Sequence, residues 1–289
     1  MTFVIASACL AGEPGPWQFA MLFAFSAVMG AISLSFLKRI PDAEMPEEAR
    51  ASGRVPWLAM LRHPPFQRLL WTVFGYSIAY GGMTAFTVAF LRAEVKMSEG
   101  AILLVTAISF LGGLSSLWLL GSRLDRLGSK PVLRFCFAAW FAVLAGWICL
   151  SGRVIAMSLP LLVTLQFLMG LLAALVQMSN TRLAMAVIPV MGRNHFFAIY
   201  SVVNNVTLGI APVAWGLLID AVGTRAPVWL GLSWNRFTIF FAATALAYLF
   251  TAMLSRRLHE PDAASMEELL RELLIQSPQR FWVRFWPRA

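Results

Sequence analysis

Seven long apolar runs constrain this chain more than any other feature. They occupy residues 17–37, 69–91, 101–120, 132–150, 157–181, 196–219 and 235–255. Each approaches the roughly 20 residues that a helix needs to cross a hydrocarbon core about 30 Å thick. Within a bilayer every backbone N–H and C=O must be satisfied by the protein itself, which leaves helices or a closed barrel. A barrel is built from short strands of alternating polarity, and these runs are continuous. The sequence therefore predicts an all-α membrane protein, a multi-span helical bundle. Its 59% hydrophobic and 13% charged residues agree, being far from soluble-domain usage. Cys9, Cys136 and Cys149 all fall in apolar runs. They read as small packing residues, not as a disulfide or metal framework, and no metal or cofactor is predicted.

The polar segments set the orientation. With alternate connections on opposite sides, Lys38, Arg39, Arg50, Arg54, Arg62 and Arg68 share one side with Arg123, Arg126, Lys130, Arg134, Arg182, Arg193 and the arginines after residue 255. The other side holds Arg92, Lys96, Arg153, Arg225 and Arg236. By the positive-inside rule the first side, with the C-terminus, is cytoplasmic, and the plasma (inner) membrane is the expected location. The net charge of +9 is thus a topology signal. Nucleic acid is not an expected partner, because the bases are dispersed over short loops instead of lining a folded basic surface.

The beginning of the chain is awkward in this topology. Residues 1–11, MTFVIASACLA, are too short to span, and they lack the basic residue expected ahead of a signal-peptide core. They are read as part of a stub, residues 1–12, the outer end of a helix whose inner part is missing. Residues 13–37 then hold the first complete span.

Between the third and fourth runs lies GSRLDRLGSKPVLR, residues 121–134. Gly121, Asp125, Arg126, Gly128 and Lys130 match the pattern Gly-x-x-x-Asp-Arg-x-Gly-x-Lys, by which this chain resembles the major facilitator superfamily. Ser129 stands where a second base is common. A glycine at 121 can end a helix or admit a neighbour closely, and one at 128 permits a tight reversal. Asp125 can accept from free N–H groups at a helix start and pair with Arg126 or Lys130. The resemblance implies that this loop is a conformational latch between two halves of a transporter.

It also implies a layout. Residues 38–68, with Pro41, Pro46, Pro56, Pro64 and Pro65, would be the cytoplasmic linker between halves. Residues 69–258 would be the six-helix second half, and the span before the linker the last helix of the first half. Either the sequence is an incomplete copy of a twelve-helix transporter or it is a half that needs a complementary bundle. Expected partners are therefore the lipid bilayer, a small-molecule solute and that missing half.

Polar residues recurring at helical spacing inside apolar runs are the substrate-cavity candidates. Tyr76, Tyr80 and Thr84 fall four apart on one face. Gln166 and Gln177 are eleven apart, with Gly170 and Ala173 on the same stripe leaving room for a ligand. Tyr200 and Asn204 are one turn apart, with Asn205 beside them. The bland alternative for each is interhelical hydrogen bonding, worth about 0.6 kcal/mol. No ionisable side chain other than cysteine or tyrosine lies in the middle of a run; Arg182 and Asp220 sit at run ends. Since such residues are the usual proton relays and ion-pair sites, a neutral polar solute fits this part of the chain.

Pro212 within GIAPVAWG marks a possible bend, and the pairs Gly81-Gly82 and Gly112-Gly113 allow close helix approach. After the last run, Ser265 and Glu268 form a capping box ahead of an apolar stripe at Leu269, Leu270, Leu273 and Leu274. Phe281, Trp282, Phe285 and Trp286 then alternate with Arg280, Arg284 and Arg288. This amphipathic tail, residues 259–289, suits a headgroup surface, with partner docking as its rival. Two other functions stay open: a non-transporting receptor or scaffold, and a membrane-embedded transferase. The transferase would want a histidine or paired carboxylates at a membrane mouth. His63, His195 and His259 lie in polar segments with no acidic neighbour at His195, so no catalytic residue is predicted and the chain is not expected to be an enzyme.

Overall fold

In the computed structural model the described residues are 16–37, 57–120, 128–188, 193–223 and 226–258. They form α1 (Pro16–Leu37), α2 (Trp57–Arg62), α3 (Pro64–Ala93), α4 (Glu99–Leu120), α5 (Ser129–Ser151), α6 (Leu159–Val187), α7 (Arg193–Val222), β1 (Val228–Trp229), β2 (Leu232–Ser233) and α8 (Arg236–Ser255). Seven of these helices, α1 and α3 to α8, are long and apolar enough to cross a membrane, one at each predicted run. The chain is an all-α multi-span membrane protein.

Helix ends differ from the apolar runs for local reasons. The linker was expected to last to residue 68, yet α2 lies inside it and α3 already starts at Pro64. Pro64 and Pro65 occupy the first helical positions, where a missing N–H costs no hydrogen bond and the fixed φ suits the helix. The prolines therefore open a helix that was read as linker. In the same way α5 begins three residues before its run, and α7 extends to 30 residues, continuing through Pro212.

α3 lies at the centre of the packed helices. It packs on α7 and α8 and also touches α2, α4 and α6; α5 bridges α6 and α8, and α4 closes on α6. Glycines set the closest approaches. A Cβ at Gly112 would strike the Phe167 carbonyl of α6, and one at Gly170 the Ser109 carbonyl of α4. Gly170 was expected to leave room for a ligand; the α4 backbone fills that room. Gly81 and Gly82 admit Ala211 and Trp215 of α7 to α3.

Among the described residues the interior is aromatic and holds no charged side chain. Trp140, Trp147, Tyr248, Phe66, Phe137, Phe240 and Phe241 are all fully buried. Many hydroxyls bond back to their own helix: Thr72 donates to the Arg68 carbonyl at 2.9 Å and Thr251 to the Ala247 carbonyl at 2.8 Å. That arrangement satisfies a buried hydroxyl without needing a neighbour. Apolar stripes face outward, including Val202, Val206, Ile210, Val213 and Leu217 of α7, as suits a surface bathed in lipid. Over its described side chains, residues 16–36, α1 has no buried residue. Cys136 is buried, Cys149 is partly buried, and both are free thiols.

One element was not foreseen. Between α7 and α8, β1 and β2 pair antiparallel, Val228 opposite Ser233 and Trp229 opposite Leu232. Leu230 and Gly231 form the turn with φ of 55° and 75°, the doubly positive geometry of a tight two-residue hairpin.

Candidate functional site

The site is built from the one-turn spacing of Tyr76 and Tyr80 on α3. Their rings stack at 5.5 Å with planes 7° apart. On the other side, Trp140 of α5 stacks on Tyr248 of α8 at 4.8 Å. The two stacks meet edge to face: Tyr80 against Trp140 at 6.1 Å and Tyr76 against Tyr248 at 6.2 Å. Phe137 closes the cluster beside Tyr76 and Tyr248. Three helices thus converge on four rings carrying polar tips, a geometry in which the rings supply dispersion and the tips keep their directionality. Trp140 Nε1, Tyr248 Oη and the nearby Thr244 Oγ1 one turn away on α8 are buried with no hydrogen-bond partner in the protein. Buried donors and acceptors of this kind are ordinarily paired.

Asn204 lies on the adjoining α3–α7 seam. Ser77, next to Tyr76 in the chain, donates to Asn204 Oδ1 at 2.9 Å, and Asn204 Nδ2 reaches Asn205 Oδ1 at 3.4 Å. Asn205 is exposed, so this short relay runs from the α3 interior to the outer face of α7. Trp215 Nε1, about three turns beyond Asn204 on α7, donates to the Ile78 carbonyl at 2.7 Å. Tyr200 is buried on the same face of α7 as Asn204, edge-on to Phe197. Thr84, though on the stripe of Tyr76 and Tyr80, is exposed.

Gln166 and Gln177 do not act as a pair. Gln166 is buried in α6, while Gln177 is exposed about 16 Å further along the axis. The ring contacts that gather the tyrosines include neither. Trp140 and Tyr248 were missed because indole and phenol rings in an apolar run look like packing. The available signal was Thr244 and Tyr248, spaced one turn apart like Tyr76 and Tyr80.

Of the signature residues, Gly121, Asp125 and Arg126 lie outside the described residues. Gly128 adopts φ 81° and ψ 161° immediately before α5, a region open essentially to glycine alone. Arg182 of α6 donates to Ser129 Oγ at 3.3 Å, and Lys130 sits in the first turn. Gly128→Ala is expected to cost about 1–3 kcal/mol of local strain. A lower melting temperature of the detergent-purified variant, with no change for Gly209→Ala on α7, would check this.

At the opposite end of the bundle two open cavities of about 300 and 220 Å³ share Glu94 and Arg153. Those side chains form an exposed ion pair at 3.4 Å. Neither cavity is lined by the tyrosines.

The Major Facilitator Superfamily model matches residues 73–286. The chain belongs to that superfamily, whose members are transporters rather than enzymes. No curated protein and no solved structure matches it.

Proposed function

We propose that the chain moves a small, neutral, polar solute by alternating access, with α3 to α8 forming one bundle that rocks against a complementary bundle around a midplane site. On this reading α1 is the last helix of the first half, residues 38–63 lead into the second, and the signature loop is the latch. The C-terminus is cytoplasmic and the membrane is the plasma membrane. The observation that carries the reading is the ring cluster at Tyr76, Tyr80, Trp140 and Tyr248. It concentrates polar tips in a charge-free interior, and two of those tips, Trp140 Nε1 and Tyr248 Oη, are unspent within the protein. Rings and hydroxyls suit sugar-like or amide-bearing solutes; an ion would find no counter-charge in the cluster. Asn204, Tyr200, Gln166 and Gln177 are secondary candidates from the same half.

The test is uptake of labelled neutral solutes into proteoliposomes carrying the full chain together with a complementary bundle, with and without Tyr248→Phe. Because Tyr248 Oη makes no hydrogen bond in the protein, its loss should leave stability within about 0.5 kcal/mol. Losing one solute hydrogen bond of roughly 0.5–1.5 kcal/mol should weaken solute affinity by about twofold to twelvefold. Flux above empty vesicles that is indifferent to Tyr248→Phe would remove the cluster from the pathway. Absence of flux for every neutral solute with the complementary bundle present would favour the scaffold reading.

A further inference from the structure

The hairpin between α7 and α8 exposes Val228, Trp229 and Leu230 by 75%, 65% and 75% of their surfaces. Three consecutive large apolar side chains at a loop tip are unusual in water, where such turns favour Asn-Gly or Asp-Gly. Leucine at φ 55° adds backbone strain and gains no burial within the chain. The reason for this tip therefore lies outside the protein.

Its depth follows from the helices that hold it. α8 has 20 residues, about 30 Å, which matches the hydrocarbon core and puts Arg236 at the boundary. The hairpin is fastened at that level. Ser233 N donates to the Gly152 carbonyl at 3.0 Å, and Asn235 Nδ2 to the Ser151 carbonyl at 2.7 Å, both at the end of α5. Leu232 packs over Gly152, where a Cβ would collide with it. Thr238 bonds Ser151 Oγ and the Ser233 carbonyl, stiffening the base. Trp234 Nε1 donates to the Trp229 carbonyl at 3.2 Å, joining the two indoles near the tip. The neighbouring connection presents Val154, Ile155 and Met157 outward too, completing an apolar rim.

The geometry points to a lipid anchor: the 228–230 tip inserts among the headgroups and first acyl carbons of the bilayer, with Trp229 in the belt where tryptophan partitions best. It holds the α7–α8 end of the bundle at fixed depth while Arg236 faces the phosphates.

Leu230→Cys tests it in the full chain, with Cys9 and Cys149 replaced by serine and the buried Cys136 retained. Lys96→Cys, on another exposed connection at the same end of the bundle, is the control. Each variant is confirmed as monodisperse, labelled with bimane in detergent and reconstituted into phosphatidylcholine–phosphatidylglycerol vesicles with lipids brominated near the headgroup. Bromolipid quenching at 230 is expected to exceed that at 96 by roughly threefold or more. The unlabelled thiol at 230 should resist a membrane-impermeant maleimide. Equal quenching at the two sites with rapid alkylation at 230 would overturn the anchor and place the tip in water. Protection from maleimide without bromolipid quenching would also overturn it, assigning the tip to a protein contact.

Discussion

Gly170→Leu is expected to yield almost no monodisperse protein. The Cβ alone would enter the space of the Ser109 carbonyl, and the clashing partner is backbone, which cannot rotate away as a side chain would. Gly112 meets the Phe167 carbonyl in the same seam, so α4 and α6 would have to separate along several turns. Overpacking ordinarily costs about 1–3 kcal/mol; a backbone collision at the tightest seam belongs at or above the top of that range. Fluorescence size-exclusion of a tagged variant would show it as loss of the main peak. Gly209→Leu is the matched control, because a Cβ at Gly209 meets nothing within 4 Å. Equal loss in both variants would mean that any bulky residue in an exposed helix is harmful, and the seam would not be special.

Trp140→Ala should produce the largest loss of stability among side-chain truncations. Trp140 is fully buried, stacked on Tyr248 and edged by Tyr80, and its removal leaves a hole bordered by rings from two other helices. Lipid offers no hydrophobic penalty for separating helices, so the loss falls on packing contacts. Tryptophan truncations in packed interiors cost about 3–5 kcal/mol. A melting curve in detergent should show a marked drop for Trp140→Ala and a smaller one for Trp140→Phe, which keeps a ring against Tyr248. A drop no larger than that for Trp118→Ala, at an exposed position on α4, would mean that the cluster is not cohesive.

What could be read in advance follows from where the controlling information resides. The seven spans were legible because a bilayer demands local chemistry: each run is apolar along its own length. The one-turn pairs Tyr76–Tyr80 and Tyr200–Asn204 were legible because a helix fixes them without help. Gly170 was misread because a stripe of small residues says that something can come close, and only the fold says whether it is a solute or Ser109. Pro64 and Pro65 were read as linker because the same fixed φ serves a turn or a helix start. The hairpin escaped because its strands are two residues each, and its strongest sign, a leucine at positive φ, has no sequence signature. Trp140 and Tyr248 were hidden among residues whose apolar bulk outweighs one polar atom.

The two glycine seams differ in how they would yield under load. Across α3–α7 the close approach at Gly81 and Gly82 is accompanied by directional bonds, Ser77 to Asn204 and Trp215 to the Ile78 carbonyl. A displacement along the axis must break both within the first ångström or so. At Gly112 and Gly170 the α4–α6 approach is backbone against backbone. Neither notch has room for a Cβ, so sliding α4 along α6 would drive neighbouring side chains into the facing backbone. The bundle therefore resists shear in two ways, by hydrogen bonds across α3–α7 and by interlocked backbone shape across α4–α6.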